Sequence, residues 1–274
     1  MALFAVSEIR DKGQIEAFLR TDTHYTAYAL ADLEPPYSEQ AQWAGATRDG
    51  LSLSGLALMY SGLNPPLLFF FGESEAIAAL LLYGVGPDLA YVTAPLDLEA
   101  LCRNFYHLHH VQHMYRMRVT RGTFVNSITD QRDFPRVARL GVAHTDIIES
   151  FIALAAETDG RTWGDVAFDR EMVADGFYHG VFQGEKLIAV GGTHVVSRSM
   201  SLAAVGNVVV HPEHRRMGLG AAISAAVTRT LIEEEIDLIV LNVSRTNGSA
   251  LKTYKKLGYR IVSDFLEALG ARLN

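Results

Sequence analysis

The chain has 274 residues, 49% of them hydrophobic and 20% charged, with a formal net charge of -7. That is apolar material enough for two cores and argues against a disordered chain. The acidic balance excludes a general nucleic-acid or membrane-surface binder, since phosphate-rich partners call for basic patches, and no apolar run approaches the ~18 residues of a membrane span.

The first clear elements start near Trp43. WAGATRDG and LSLSGLALMY read as two strands joined by a tight turn on Arg48-Asp49-Gly50. A short buried strand follows Pro66 (LLFFF), then a helix from Ser74 to Tyr83, the strand LAYVTAP and the helix LDLEALCRNF. The polar stretch from Arg116 to Arg132 mixes a β-type run with turn residues, so two domains are expected, 1–118 and 119–274. The second opens with the strand VARLGV, the helix DIIESFIALAAE and the loop TDGRTWGD.

From His179 the plan repeats. HGVFQGEK and LIAVGGTHVV form a hairpin, GNVVV a strand, Gly218 to Glu234 a helix, DLIVLNV a strand and NGSALKTYKKLG a helix. Each hairpin has glycine inside its second strand: Gly55 in one, Gly191 and Gly192 in the other. The offset is roughly 135 residues, about one domain length, which suggests a duplication. Strands alternating with helices, plus hairpins, imply an α/β (α+β) class with mixed sheets. The single cysteine, Cys102, has no intramolecular partner, and the first residues lack a basic leader region, so a cytoplasmic protein is expected.

The richest segment is GNVVVHPEHRRMGLGAAISAAVTRTLIEEE. Pro212 cannot donate to a ladder and ends the strand. The turn Arg215-Arg216-Met217-Gly218-Leu219-Gly220 leads at once into a helix with Ile223, Ala226, Val227, Thr230 and Leu231 on one face. The first turn of a helix has backbone N–H groups without internal partners and carries the positive end of the dipole. Gly218 and Gly220 would let an anion approach closely, and Arg215 and Arg216 can add charge-assisted hydrogen bonds. Taken alone, such a turn is as often an ordinary strand-to-helix connection.

Further on, Asn247 is a good N-cap; Ala250, Leu251, Tyr254 and Leu257 share a helix face; and Gly258 suits a helix end. The combination resembles the GNAT superfamily of N-acetyltransferases. Its first signature, R/Q-x-x-G-x-G/A, is matched by Arg215, Gly218 and Gly220. Its second, N-x-x-A-x-x-x-Y-x-x-x-G-F/Y, is matched by Asn247, Ala250, Tyr254, Gly258 and Tyr259. The resemblance covers about residues 135–274 and implies tandem GNAT-like domains, with acetyl-CoA between splayed parallel strands of the C-terminal one. The backbone of Val208 and Val210 would pair with the pantetheine arm. The amides of Arg216, Met217, Gly218, Leu219, Gly220 and Ala221 would hold the pyrophosphate, with Arg215 beside them and Asn247 near the pantetheine. No metal is implied.

The implied reaction is direct transfer of an acetyl group to a primary amine of a small molecule or peptide. Tyr254 is the matched general acid for the leaving thiolate; its ordinary pKa near 10 exceeds the thiol's of about 8.5. Many relatives carry a glutamate base on the strand before the loop, but SLAAVGNVVV has no acid. His194 is the first candidate base, with Asn207 as an alternative that positions a water. Transfer of a longer acyl group, as in glycine N-acyltransferase-like proteins, and a CoA-binding regulatory module without turnover are the alternatives. Trp163, Asp165 and Phe168 lie where family members shape the acceptor cleft.

The N-terminal counterpart of the loop is Gly72-Glu73-Ser74-Glu75, with two carboxylates and no G-x-G. That half reads as a degenerate copy that covers the substrate side or makes a homodimer contact. Its cluster His107, His109, His110 and His113 lacks zinc-site spacing, and strand alternation would split the side chains between two faces.

Overall fold

The computed structural model describes residues 4–48, 50–126, 135–159 and 168–273. The chain divides into two compact units, residues 1–115 with 263–274, and residues 116–262.

In the first unit, β1 (Ala5–Glu8) leads to α1 (Lys12–Leu19), whose N-cap Asp11 accepts a hydrogen bond from the Gln14 amide at 3.1 Å. After the short α2 (Ala27–Ala31) come β2 (Ala41–Thr47), β3 (Leu53–Tyr60), β4 (Leu67–Gly72), α3 (Ser74–Leu82), β5 (Leu89–Pro95), α4 (Glu99–Arg103) and β6 (Tyr106–Val119). β1, β2, β3 and β4 pair antiparallel in that order, and β4 pairs parallel with β5. Leu68, Phe70, Ile77, Leu80, Val92 and Tyr106 centre the core.

In the second unit, β7 (Val137–Arg139) precedes α5 (Thr145–Asp159), β8 (His179–Gln183), β9 (Lys186–Ser197), β10 (Leu202–Val210), α6 (Leu219–Glu233), β11 (Leu238–Ser244), α7 (Gly248–Lys256) and β12 (Arg260–Arg272). β7, β8, β9 and β10 pair antiparallel in turn, and β10 pairs parallel with β11. The pairing order is that of β1 to β5, so the repeat read from the letters is also a repeat of topology. Ile148, Ile152, Val173, Tyr178, Val190 and Val209 lie in its core.

The strand glycines show why the two halves share a pattern. A Cβ at Gly55 of β3 would lie 2.7 Å from the Ala76 Cβ of α3, and one at Gly191 of β9 would lie 2.6 Å from Ile223 of α6. In each unit a bare position on the hairpin lets the following helix pack close to the sheet. The β8–β9 turn has Gly184 at φ 61, as a two-residue hairpin with glycine first requires. Asp49, in the other predicted turn, lies outside the described residues.

The chain's end departs from the expected division. Residues 263–274 group with the first unit, because Phe265–Ala271 of β12 pair antiparallel with Pro95–Leu89 of β5. Phe265 and Leu266 are fully buried. The letters DFLEALGAR include good helix formers and show no strand alternation; the long-range pairing decides the conformation. β6 also crosses the division, which falls between Tyr115 and Arg116. The helix expected over LDLEALCRNF shrinks to one 3₁₀ turn, Leu96–Leu98, and the five residues of α4.

Candidate functional site

The second unit assembles the site from the end of β10, the start of α6 and the α7 helix. Parallel pairing of β10 with β11 runs from Leu202–Leu238 to Val205–Leu241. Beyond that point, among the described residues, the ladder has no further rungs, although β10 continues to Val210 and β11 to Ser244. The two strands therefore part over the segment expected to lie splayed. Val208 and Val210 lie in the parted segment, both half-buried, with Val209 fully buried between them. On its other edge β10 stays paired, Val209 with Val190 and Val210 with Ala189.

Between Gly206 and Val209 the register with β9 shifts by one residue, a β-bulge. Asn207 sits in it at φ 52, a left-handed conformation unusual for a non-glycine residue. Its Nδ2 donates to the Tyr178 hydroxyl at 2.9 Å, and both residues are buried. His194 is half-buried on β9, its ring packed against the bare face of Gly206 beside the bulge. The two predicted base candidates thus lie at neighbouring positions on the sheet.

After Val210 the chain turns. The His211 amide donates to the Ile188 carbonyl at 2.9 Å, and a 3₁₀ turn occupies Pro212–His214. Arg215 is extended, with its Nε 3.4 Å from the Val210 carbonyl. Arg216 and Gly218 adopt left-handed φ values of 64 and 82. Gly218 is the N-cap of α6 and offers it no side-chain acceptor. The first amide to find an intrahelical partner is that of Ala222, which donates to Gly218 at 3.0 Å. Among the described residues, no backbone N–H from Arg216 to Ala221 has a protein acceptor. Arg216, Met217 and Gly218 are exposed and Gly220 and Ala221 half-exposed, while Leu219 is buried. A row of unpartnered amides passing through left-handed residues at a helix start is the backbone arrangement of a nest, which suits an anion.

The two glycines of this loop differ in kind. Gly218 is required by its own backbone conformation. Gly220 is not required by its neighbours: among the described residues, a Cβ there would meet only the Val210 side chain, at an ordinary 3.6 Å.

On α7, Asn247 accepts a hydrogen bond from the Ala250 amide at 3.1 Å, the predicted cap. The helix closes with a Schellman motif: the Tyr259 amide donates to Tyr254 and the Gly258 amide to Lys255, at 3.0 and 3.1 Å. The rings of Tyr254 and Tyr259 pack at 5.8 Å, so the cap fixes the tyrosine of the second motif. Gly258 has φ 91, and any Cβ there would collide with the Thr123 carbonyl. The Tyr259 hydroxyl meets Thr228 of α6 at 2.7 Å, and burial pushes its pKa up. Tyr254 itself is 9% exposed.

Burial depresses the His179 pKa, and its ring bonds the Phe177 carbonyl at 3.1 Å and Thr230 at 3.3 Å. Cys102, in the first unit, is fully buried and pushed up to about 12 by desolvation, which keeps it a thiol. His211, Glu213 and His214 bring their donor atoms within 4.8 Å of one another, the one group of three with metal-ligand geometry among the described residues. The β6 histidines form no such trio; His107 and His109 stack edge-on at 4.4 Å, and His113 bonds Glu99 at 2.8 Å.

The first unit lacks the nest. Between β4 and α3 only Glu73 intervenes; its amide donates to the Ser54 carbonyl at 2.8 Å and its carboxylate pairs with Arg48 at 2.6 Å. Of the predicted cleft residues, Trp163 and Asp165 lie outside the described residues. Phe168 is half-buried, edge-on to Tyr178 at 6.0 Å. Sequence reasoning missed Tyr178 altogether; the only trace of it is Gly192, whose bare face the tyrosine ring occupies.

Residues 178–266 match the family model of FR47-like proteins. Among solved structures, the chain is similar to a tandem GNAT protein from the clavulanic acid biosynthesis pathway, with 14% identity over 98% of both chains and a TM-score of 0.60. It is similar to a GCN5-related N-acetyltransferase from Sphaerobacter thermophilus, with 12% identity over 99% of this chain and 96% of that one, TM-score 0.61. A Drosophila protein matches with 13% identity over 97% and 99%, TM-score 0.67. No curated protein matches the sequence. The fold is that of the tandem GNAT acetyltransferases, and all but the last four residues of the FR47-like match fall in the second unit.

Proposed function

We propose that the chain is an acetyl-CoA-dependent N-acetyltransferase acting on a primary amine of a small molecule or peptide, with its working site in residues 116–262. The observation that carries this reading is the run of amides from Arg216 to Ala221 that have no protein acceptor among the described residues, beside the parting of β10 and β11. A diphosphate suits that run on charge and on donor count, and Gly220 leaves room that none of the described residues fills.

Acetyl-CoA would supply an activated acyl group as a thioester. Arg216 to Ala221 would hold its diphosphate, with Arg215 and Arg216 adding charge. The parted backbone of Val208 and Val210 would hold its arm, with Asn247 near it. A backbone N–H at the end of β10 would polarise the acyl oxygen. His194 is the base that would take the amine's proton. Asn207 is less suited to hold a water, since its amide nitrogen already donates to Tyr178. The Tyr254 hydroxyl would return a proton to the departing sulfur.

The test is thiol release from acetyl-CoA across a panel of primary amines, beside a binding titration. Amine-dependent release supports the transferase. Tight CoA binding with release no faster than hydrolysis would instead indicate a non-catalytic module. Faster release from longer acyl thioesters would indicate a transferase of larger groups.

A further inference from the structure

We propose that Tyr178 is a positioning residue: through its hydroxyl it holds Asn207 in the left-handed conformation that forms the β10 bulge. The effect on turnover rests on the transferase reading above; the effect on the bulge does not.

Asparagine enters the left-handed region more readily than most residues, with the help of its side-chain hydrogen bonds, and at φ 52 the Asn207 side chain bonds Tyr178. The Asn207 amide is held by the Tyr178 hydroxyl, 2.9 Å away, with the two residues 3% and 0% exposed. Tyr178 is itself held. Its ring lies on Gly192, where any side chain would collide, and Phe168 meets it edge-on. Gly192 in turn pairs with Gly206, the residue before Asn207, so the tyrosine spans the rung at which the register slips. The hydroxyl also lies 3.5 Å from the Thr193 carbonyl and 3.9 Å from the Met172 sulfur. Phenylalanine would fill the same slot. A hydroxyl buried there costs free energy unless it is hydrogen-bonded, and the Asn207 amide at 2.9 Å supplies such a bond. The bulge bends the backbone just past Val205, the last rung β10 shares with β11, so the clamp also sets the direction of Val208 to Val210.

The experiment compares wild type, Tyr178→Phe, Asn207→Gly and the double variant. The first readout is amide hydrogen exchange over residues 205–210, and the second is the kcat and KM of acetyl-CoA turnover. Glycine takes the left-handed conformation without strain, so Asn207→Gly removes the need for a clamp. In the wild-type background, Tyr178→Phe should speed exchange in this segment about fivefold or more, the scale of one lost buried hydrogen bond. It should lower kcat by more than it raises KM. In the Asn207→Gly background the same substitution should leave both readouts within about twofold. Equal effects in the two backgrounds, or unchanged exchange in Tyr178→Phe, would overturn the proposal. If wild type releases no thiol with any amine, the transferase reading falls while the exchange comparison still decides the clamp.

Discussion

At Tyr254 one residue serves packing and, on the proposed reading, proton transfer. Its ring is anchored by the helix cap and the neighbouring Tyr259, so the hydroxyl can be removed without disturbing the fold. Tyr254→Phe is expected to lower turnover about 100-fold, the lower range for a general acid, with coenzyme affinity and the melting midpoint little changed. Unaltered rates in steady-state thiol release would leave Tyr254 a packing residue only. Asp32, in the first unit, offers a second single-residue test. It is 5% exposed, and burial pushes its pKa up to about 8. The folded state therefore keeps a proton that the unfolded chain gives up near pH 4, and stability drains away as pH rises through that interval. Asp32→Asn should gain on wild type in urea melts as pH goes from 5 to 7.5. An equal pH slope in both proteins would contradict this. The chemistry at residue scale was only partly legible in the letters. Gly218 and Gly258 announce themselves because a left-handed backbone excludes most side chains. Tyr178 does not, and Asn207 announces a different role, because the contact between them comes from a bulge created by pairing between β9 and β10.

The strand–loop–helix from β10 to α6 is the element on which the coenzyme reading stands. Its legibility has a local cause: Pro212 ends the strand, Gly218 turns the chain and an apolar face starts at once. Gly220→Ala separates binding from folding here. A methyl there meets only ordinary contacts and replaces a helical glycine, so stability should hold or rise by up to about 1 kcal/mol. CoA affinity should fall about tenfold, because the methyl enters space reserved for the ligand. A variant that binds CoA as wild type does would show that this space is unused. The equivalent β4–α3 turn shows the converse, with its amide already bonded to Ser54 and a carboxylate beside it.

On the scale of the whole molecule, the repeated topology was readable from the order of hairpin, strand, helix, strand and helix. The destination of the last strand was not, since nothing in DFLEALGAR specifies β5 as its partner. Removing residues 263–274 would strip β5 of its antiparallel neighbour and open the core at Leu266 and Ala268. The first unit should then lose cooperative unfolding, seen as lost protection in β5 and in α3, which packs on the same core. A truncated chain with full protection in these elements would mean that residues 1–115 form a sufficient fold by themselves.

The central claim is that the amides from Arg216 to Ala221 grip a diphosphate, and calorimetric titration of CoA into wild type and Gly218→Asp tests it most directly. Wild type should bind saturably, and the variant, with a carboxylate placed at the nest, should lose at least about 100-fold in affinity while keeping its circular dichroism spectrum. Equal affinity in a folded Gly218→Asp protein would contradict the account.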